Sequence, residues 1–291
     1  MKKIVQAQDY PHSKMEWVII DDSPEDSSAI FSEKELDGIK VRYIYLKSKI
    51  PLAKKRDLLN NAARGEFLIN MDDDDYYPPC RVSHAVETLI EKGTPLVGSS
   101  KMYMYFSRDR SIYQLGPYRA NHGTAATLAY TKAYADKHRY YDPNCKTGQG
   151  HFAEEGVFTE GWKHPMAQLD PFKTVLALSH TDNTIEKTMF IEKKYGHLGG
   201  SVHETDFGLG RFINKPNEED VYKFYDTLKY EYKKNQFTDK VKDKMEANSA
   251  QAVAAYQQHM VKRMAEELKS CRMNMQRQSI YDVKINRKLK A

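Results

Sequence analysis

The stretch EFLINMDDDDYYPP places four adjacent carboxylates, Asp72 to Asp75, directly behind a short apolar run. Adjacent like charges repel one another, so a fold is expected to collect them only where a metal ion or a cationic ligand lies among them. In an extended segment alternate side chains point the same way, which predicts Asp72 and Asp74 on one face and Asp73 and Asp75 on the other. Oxygen ligands with room for phosphate oxygens and water suit Mg²⁺ or Mn²⁺. The pattern therefore favours a bound metal ion or cationic ligand among these carboxylates; the alternative is an acidic surface turn before YYPP.

The elements that must position these carboxylates follow an α/β rhythm. The runs EWVII, VRYIYL and EFLIN are rich in branched and aromatic residues and predict strands. PLAKKRDLLNNAA, which starts with Pro51, and RVSHAVETLIEKG, which stops at Gly93, predict helices. In open α/β sheets ligands bind at the carboxyl ends of strands, which is where Asp21, Asp22 and the acidic run fall.

Further strand-like segments extend this pattern to about residue 200. They are PLVGSS, KMYMYF, ATLAY and KTVLALSH. The second helical pattern is expected to bury one apolar face, made of Val82, Ala85, Val86, Leu89 and Ile90. Residues 1–200 are therefore predicted to form one domain, an α/β fold with a mixed sheet flanked by helices.

From residue 201 to residue 291 the pattern becomes helical. Asn217 is the expected N-cap of a helix that carries an apolar face of Val221, Phe224, Tyr225 and Leu228. A second helical segment carries a stripe of Met245, Ala252, Tyr256, Met260, Met264 and Leu268, which is typical of a packing face. Such a stripe must be covered by the first domain or by a second copy of the chain, so a homo-oligomer formed through these helices is possible.

Composition narrows the class of protein. The chain has 291 residues, 40% of them hydrophobic, and its 45 basic and 40 acidic residues give a net charge of only +5, so no nucleic-acid partner is expected. The odd number of widely spaced cysteines argues against a disulfide framework and a zinc ribbon and favours a reducing compartment. The sequence shows neither an apolar run of membrane-spanning length nor a signal-peptide core at its start, so we expect a soluble, cytoplasmic chain without a membrane span.

Taken in order, WVIIDDSPEDSS, LAKKRDLLNNAARGEFLINMDDDD, AEEGVFTEGW and SHTDNT resemble glycosyltransferase family 2, whose members use nucleotide sugars and have the GT-A fold. The resemblance spans roughly residues 1–190. It implies that Asp21 and Asp22 hold the uridine, with Asp22 facing the uracil. Arg56, with Lys55 as a second candidate, would contact the base.

The same resemblance implies roles for the acidic run. Asp74 would be a direct ligand of Mn²⁺ or Mg²⁺. Asp72 would contact the ribose or the metal through water, and Asp73 would lie in the nucleotide site. His180 of SHTDNT would complete the metal site.

The resemblance also indicates where transfer would occur. Glu154 and Glu155 take the place of the family's acidic pair, usually Glu-Asp, whose second member is the catalytic base of inverting enzymes, so Glu155 is the expected base. Trp162 would stack on a sugar or belong to the core. Asn121, His122 and Thr124 precede a strand where the family handles the donor sugar. The family's first strand has no counterpart here, since IVQAQDYP resembles the end of the helix that follows it, which predicts either a trimmed chain or a substitute segment.

The sequence thus predicts a metal-dependent, inverting glycosyltransferase of glycan biosynthesis. It would move a sugar from a UDP-sugar, or another nucleotide sugar, to a hydroxyl of a glycan or glycoprotein acceptor. Two alternatives stay open. One is a sugar nucleotidyltransferase, although the Gly-rich loop usual in that class is not visible, and the other is an inactive GT-A-like interaction domain.

Overall fold

The computed structural model describes residues 1–31, 35–142, 154–180, 183, 187–191 and 202–228. Helices of the described residues are α1 (Lys2–Gln6), α2 (Leu52–Ala62), α3 (Arg81–Lys92), α4 (Lys132–Ala135), α5 (Glu155–Phe158) and α6 (Glu219–Thr227). The strands are β1 (Glu16–Asp21), β2 (Glu35–Leu36), β3 (Ile39–Tyr45), β4 (Phe67–Ile69), β5 (Leu96–Gly98), β6 (Met102–Phe106), β7 (Ser111–Leu115), β8 (Ala129–Thr131), β9 (Ala167–Gln168), β10 (Leu176–Ser179) and β11 (Val202–Glu204).

The strands form mixed sheets. In the first, β1 lies parallel to β3, and β2 pairs with β3 as a short hairpin. The second has the order β4-β8-β5-β9 and the third β10-β6-β7-β11, each with parallel and antiparallel neighbours. Helices flank these sheets, with α2 against β1 and α3 against β4, β5, β8 and β9. The predicted α/β class with a mixed sheet and flanking helices is confirmed.

The helix α3 shows how sequence and burial agree locally. It ends where Gly93 adopts a left-handed conformation with φ +57°, which glycine takes without the steric cost that a Cβ would add. Four of its five predicted apolar residues are buried: Val82, Ala85, Val86 and Leu89. The prediction was wrong for Ile90, which is 64% exposed, because it lies beyond the edge of the buried stripe.

The acidic run is not extended. Asp73 and Asp74 form a turn, so the predicted alternation of two faces is wrong. Immediately afterwards the chain is anchored in the core: the backbones of Tyr76 and Leu176 pair as an isolated antiparallel bridge, and Tyr76 and Tyr77 are each only 1% exposed. At this turn the acidic side chains face different partners: Arg56 for Asp72, Asn183 for Asp74 and the Leu178 N–H for Asp75.

Segments after residue 200 pack on the sheets. β11 pairs with β7, and Tyr225 of α6 contacts Tyr76 edge-on with ring centroids 6.0 Å apart. The N-cap of α6 is Glu218 rather than the predicted Asn217. Of the predicted apolar face of α6, Tyr225 is buried, but Phe224 is 58% exposed.

The second helical segment, with its methionine stripe, lies outside the described residues, so the boundary near residue 200 and the oligomer remain predictions. Among the helices that the structure describes, none has the length and apolar character needed to cross a bilayer.

Candidate active site

The two aspartates at the end of β1 have different surroundings. Asp22 accepts hydrogen bonds from Lys55 Nζ at 2.8 Å and from the backbone N–H of Ile50 at 3.0 Å. Burial raises the pKa of Asp22, but these two bonds outweigh it and leave the pKa below its usual value. Asp21 instead accepts a hydrogen bond from the Tyr43 hydroxyl at 2.6 Å. The structure therefore unites the predicted residues Asp22 and Lys55, and it holds Asp21 against the sheet.

Arg56 of α2 joins two parts of the site that are far apart in sequence. Its Nε donates to Glu154 Oε1 at 2.8 Å, and its Nη2 donates to Asp72 Oδ1 at 3.0 Å. The side chains of Arg56 and Glu154 are 7% and 5% exposed. Charge-assisted bonds in such a buried place are stronger than those at a wet surface. Arg56 thus fixes the start of the acidic run beside the acidic pair, a role that the sequence did not indicate.

Asp74 lies in a second polar group, formed with the segment that follows β10. Its Oδ2 accepts a hydrogen bond from Asn183 Nδ2 at 2.8 Å and lies 3.5 Å from His180 Nε2 and 3.9 Å from Lys187 Nζ. Burial opposes ionisation of Asp74, but the interactions with His180 and Lys187 prevail and lower its pKa to about 2. The predicted pair of Asp74 and His180 is therefore in contact.

This arrangement fits part of the predicted metal site. Two ligands of one octahedral ion with bonds of about 2.1 Å lie about 3 Å apart, close to the 3.5 Å between Asp74 Oδ2 and His180 Nε2. Asp72 faces Arg56 instead. Among the residues that the structure describes, the ligand atoms of Asp72, Asp74 and His180 do not lie close enough together to form one three-residue metal site. Asp74 and His180 therefore suit two coordination positions of one ion, and oxygen atoms of other groups would fill the remaining positions.

Asp75 and Asp73 complete the acidic run. Asp75 is 3% exposed, accepts a hydrogen bond from the Leu178 N–H at 2.8 Å, and has Lys187 Nζ 3.5 Å away. Burial raises the pKa of Asp75 to about 7, although Lys187 opposes the shift. Asp73 is exposed at the turn. The positive groups that the run requires are thus provided in part by Arg56 and Lys187.

The acidic pair stands at the start of α5. Glu154 is the N-cap residue and holds Arg56, whereas Glu155 is the first helical residue. Burial, with the neighbouring Glu154 carboxylate as the second cause, raises the pKa of Glu155 to about 8. The two carboxylates therefore differ: Glu154 forms an ion pair with Arg56, whereas the pKa of Glu155 is raised.

An aromatic cluster lies near Glu155. The His122 ring contacts Tyr118 and Trp162 at tilted angles, with centroids 4.7 Å and 4.2 Å away. Burial, followed by the charge of Glu155, raises the pKa of Tyr118 to about 12, and burial with nearby Arg119 lowers the pKa of His122 to about 4. The predicted residues His122 and Trp162 thus meet. Trp162 also packs against the core, so both predicted roles remain compatible with its position.

The other two residues predicted to handle the sugar have structural contacts. The backbone N–H of Met166 donates to Asn121 Oδ1 at 3.5 Å, and Thr124 Oγ1 donates weakly to Met102 Sδ at 3.6 Å.

Sequence reasoning missed Tyr118, Asn183 and Lys187. Asn183 lies inside the quoted SHTDNT motif, so its position there was the available signal. Lys187 and Tyr118 carry no local signal, because only packing brings them to the carboxylates.

The chain is similar to a known protein family and to several solved structures. The family model described as glycosyl transferase family 2 matches residues 3–151. S. aureus TarS 1-349 shares 19% identity with this chain. The match covers 61% of this chain and 55% of the TarS fragment, at a TM-score of 0.45. TarS 1-349 in complex with UDP-GlcNAc gives 17% identity, 62% and 54% coverage and a TM-score of 0.45.

A third structure is the mannosyltransferase PcManGT from Pyrobaculum calidifontis in complex with GDP-Man and Mn²⁺. It shares 14% identity, with 67% of this chain and 58% of that one covered, at a TM-score of 0.44. The chain thus spans little more than half the length of these proteins. No curated protein matches it significantly.

Proposed function

This chain belongs to glycosyl transferase family 2, and from that premise we propose that it is a metal-dependent, inverting glycosyltransferase. Its donor would be a UDP-sugar or another nucleotide sugar, and its acceptor a hydroxyl of a glycan or glycoprotein. The observation that carries the proposal is the double hydrogen bond of Arg56 to Asp72 and Glu154, because it links the acidic turn to the acidic pair. A transferase needs these two regions side by side, one for the leaving group and one for the acceptor.

On the donor side, Asp22 and Lys55 would bind the nucleoside. Asp74 and His180 would hold Mn²⁺ or Mg²⁺, which when bound supplies positive charge to the leaving diphosphate. Lys187, 3.9 Å from Asp74, adds positive charge to the same place. Asp72, oriented by Arg56, would contact the ribose or a metal-bound water.

On the acceptor side, Glu155 would accept the proton of the acceptor hydroxyl. The acceptor oxygen would then form a bond to the anomeric carbon, while the bond between that carbon and the diphosphate oxygen breaks and its electron pair leaves with the nucleotide. A single displacement of this kind inverts the anomeric centre. His122 and Trp162, with Tyr118, would present ring faces to a sugar beside Glu155.

Nucleotide release tests this proposal. The full chain would be incubated with Mn²⁺ and, in separate reactions, with UDP-, GDP- and dTDP-sugars, and the freed nucleotide would be measured with and without EDTA. We expect one donor class to release its nucleoside diphosphate, and EDTA to abolish the release. Formation of a nucleoside triphosphate when pyrophosphate is added would instead identify a nucleotidyltransferase. Release of no nucleotide from any of the donors would identify an inactive domain.

A further inference from the structure

A histidine and glutamate cluster lies outside the site described above. His138 follows α4, and Glu160 and His164 follow α5. His138 Nε2 lies 3.7 Å from Glu160 Oε1, and His164 Nε2 lies 3.6 Å from Glu160 Oε2. One ligand atom from each of the three side chains falls within 4.8 Å of the other two. We propose that His138, Glu160 and His164 bind a divalent transition metal ion such as Zn²⁺.

The spacing of these atoms suits a tetrahedral ion. With bonds of about 2.1 Å, two ligands of a tetrahedral metal lie about 3.4 Å apart. Each histidine nitrogen lies within a few tenths of an ångström of that separation from one of the two Glu160 oxygens. The set with one ligand atom from each residue spans up to 4.8 Å and must close further around the ion. Two imidazoles and one carboxylate leave a fourth position for water or another ligand. The nitrogen-rich set favours Zn²⁺, whereas carboxylate, carbonyl and water oxygens favour Mg²⁺ and Mn²⁺.

His138 is already oriented as a ligand. Its Nδ1 lies 2.8 Å from the backbone carbonyl of Tyr134, so an Nδ1–H can donate to that oxygen and leave the Nε2 lone pair directed to the cluster. The ring also stacks on Tyr134, with centroids 3.9 Å apart and planes 13° apart. A ligand held by packing and by a second hydrogen bond loses little freedom when it binds a metal.

His164 has a buried ring nitrogen that also points to a bound metal. Its Nε2 is buried and makes no hydrogen bond to any residue that the structure describes. A buried ring nitrogen that makes no hydrogen bond is costly, and a metal bond would satisfy it. Glu160 is exposed and sits at φ +50°, a left-handed conformation that costs free energy for a residue with a Cβ. This backbone conformation belongs to the turn from which Glu160 reaches both histidines.

The bound ion would connect two parts of the chain. It would tie His138, in the segment after α4, to the turn after α5. Helix α5 begins with Glu155. The bound ion is therefore expected to restrict the movement of α5. The ion does not need to take part in sugar transfer to have this effect.

Zinc binding by the full chain tests the proposal. Protein stripped with EDTA and returned to chelator-free buffer would be titrated with Zn²⁺ by calorimetry, in the Asp74→Asn background so that the acidic turn contributes little. We expect one site per chain. His164→Gln should weaken Zn²⁺ binding by at least about 100-fold, since even loss of a supporting partner costs 10- to 100-fold. The matched control is His203→Gln on the exposed strand β11, which should leave the affinity unchanged.

Two further measurements keep the test decisive. Glu160→Gln, at an exposed position, should fold normally and weaken Zn²⁺ binding by at least about 10-fold. Co²⁺ added to the unsubstituted chain should develop the strong visible absorption of a tetrahedral site, and His164→Gln should lack it. No Zn²⁺ binding, or equal Zn²⁺ affinity in the control and both cluster variants, would overturn the proposal.

Discussion

Arg56 and Glu154, 98 positions apart in sequence, form a buried ion pair in which Nε lies 2.8 Å from Oε1. Removing one member of such a pair leaves the other charge buried without compensation. Arg56→Met should therefore lower the free energy of unfolding by about 3–5 kcal/mol, measured by urea denaturation. Lys55→Met is the matched control, because the Lys55 side chain is 23% exposed against 7% for Arg56, so its loss should be smaller. Equal losses in the two variants would show that Arg56 does not hold the site together.

The metal assignment is tested by Asp74→Asn. If Asp74 holds the cation together with His180, this variant should lose the Mn²⁺-dependent part of UDP binding, with affinity at least about 100-fold weaker by calorimetry. Circular dichroism should show an unchanged fold. Asp37→Asn, at an exposed turn with φ +52° where Asn is well tolerated, controls for the change of net charge. Retained Mn²⁺ dependence in Asp74→Asn would remove the acidic turn from the metal site.

The two glutamates should give opposite results. Glu155→Gln keeps the size of the side chain but removes the proton acceptor, so transfer should fall by at least about 10²-fold while UDP and metal affinity persist. Glu154→Gln weakens a charge-assisted bond to Arg56, so it should lower stability by about 1.5–3 kcal/mol. Steady-state kinetics and urea denaturation on both variants separate the roles. If Glu154→Gln abolishes transfer and Glu155→Gln does not, the roles are exchanged.

The rate of transfer should depend on pH through Glu155. Burial and the adjacent Glu154 raise its pKa to about 8, and a general base acts only when it is deprotonated. The value of kcat/KM should therefore rise about tenfold per pH unit below that pKa and level off above it. Measurement between about pH 6 and pH 9 with a saturating metal concentration checks the profile. A flat profile across that range would exclude a base with this pKa.

Two adjacent aromatic residues of α6 should differ in importance. Tyr225 is 4% exposed and packs on Tyr76, whereas Phe224 is 58% exposed. Tyr225→Ala should cost about 3–5 kcal/mol of unfolding free energy, as truncation of a buried aromatic side chain does, and Phe224→Ala about 0.5 kcal/mol or less. Thermal or urea unfolding of both variants measures the difference. A small cost for Tyr225→Ala would mean that α6 is not part of the stable core.

The acidic turn shows the limit of reading local periodicity. The rule that alternate residues share a face holds for an extended chain, but Asp73 and Asp74 form a turn. The turn is followed by Tyr76 and Tyr77, which are buried in the core, and Asp75 accepts a bond from the Leu178 N–H. Leu178 is 103 positions away, so no local pattern contains this information.

By itself the sequence determined the α/β class, the starts and ends of α2 and α3, and the family, because these depend on local signals such as Pro51, Gly93 and the order of short motifs. It also selected Asp74 and His180, which the fold brings within 3.5 Å. Only the tertiary structure decided that Arg56 faces Asp72 and Glu154, that Lys187 approaches Asp74 and Asp75, and that His138, Glu160 and His164 converge. The physical reason is that a charged side chain has the same local signature at a wet surface and in a buried pair, and packing between distant segments decides which of the two it becomes.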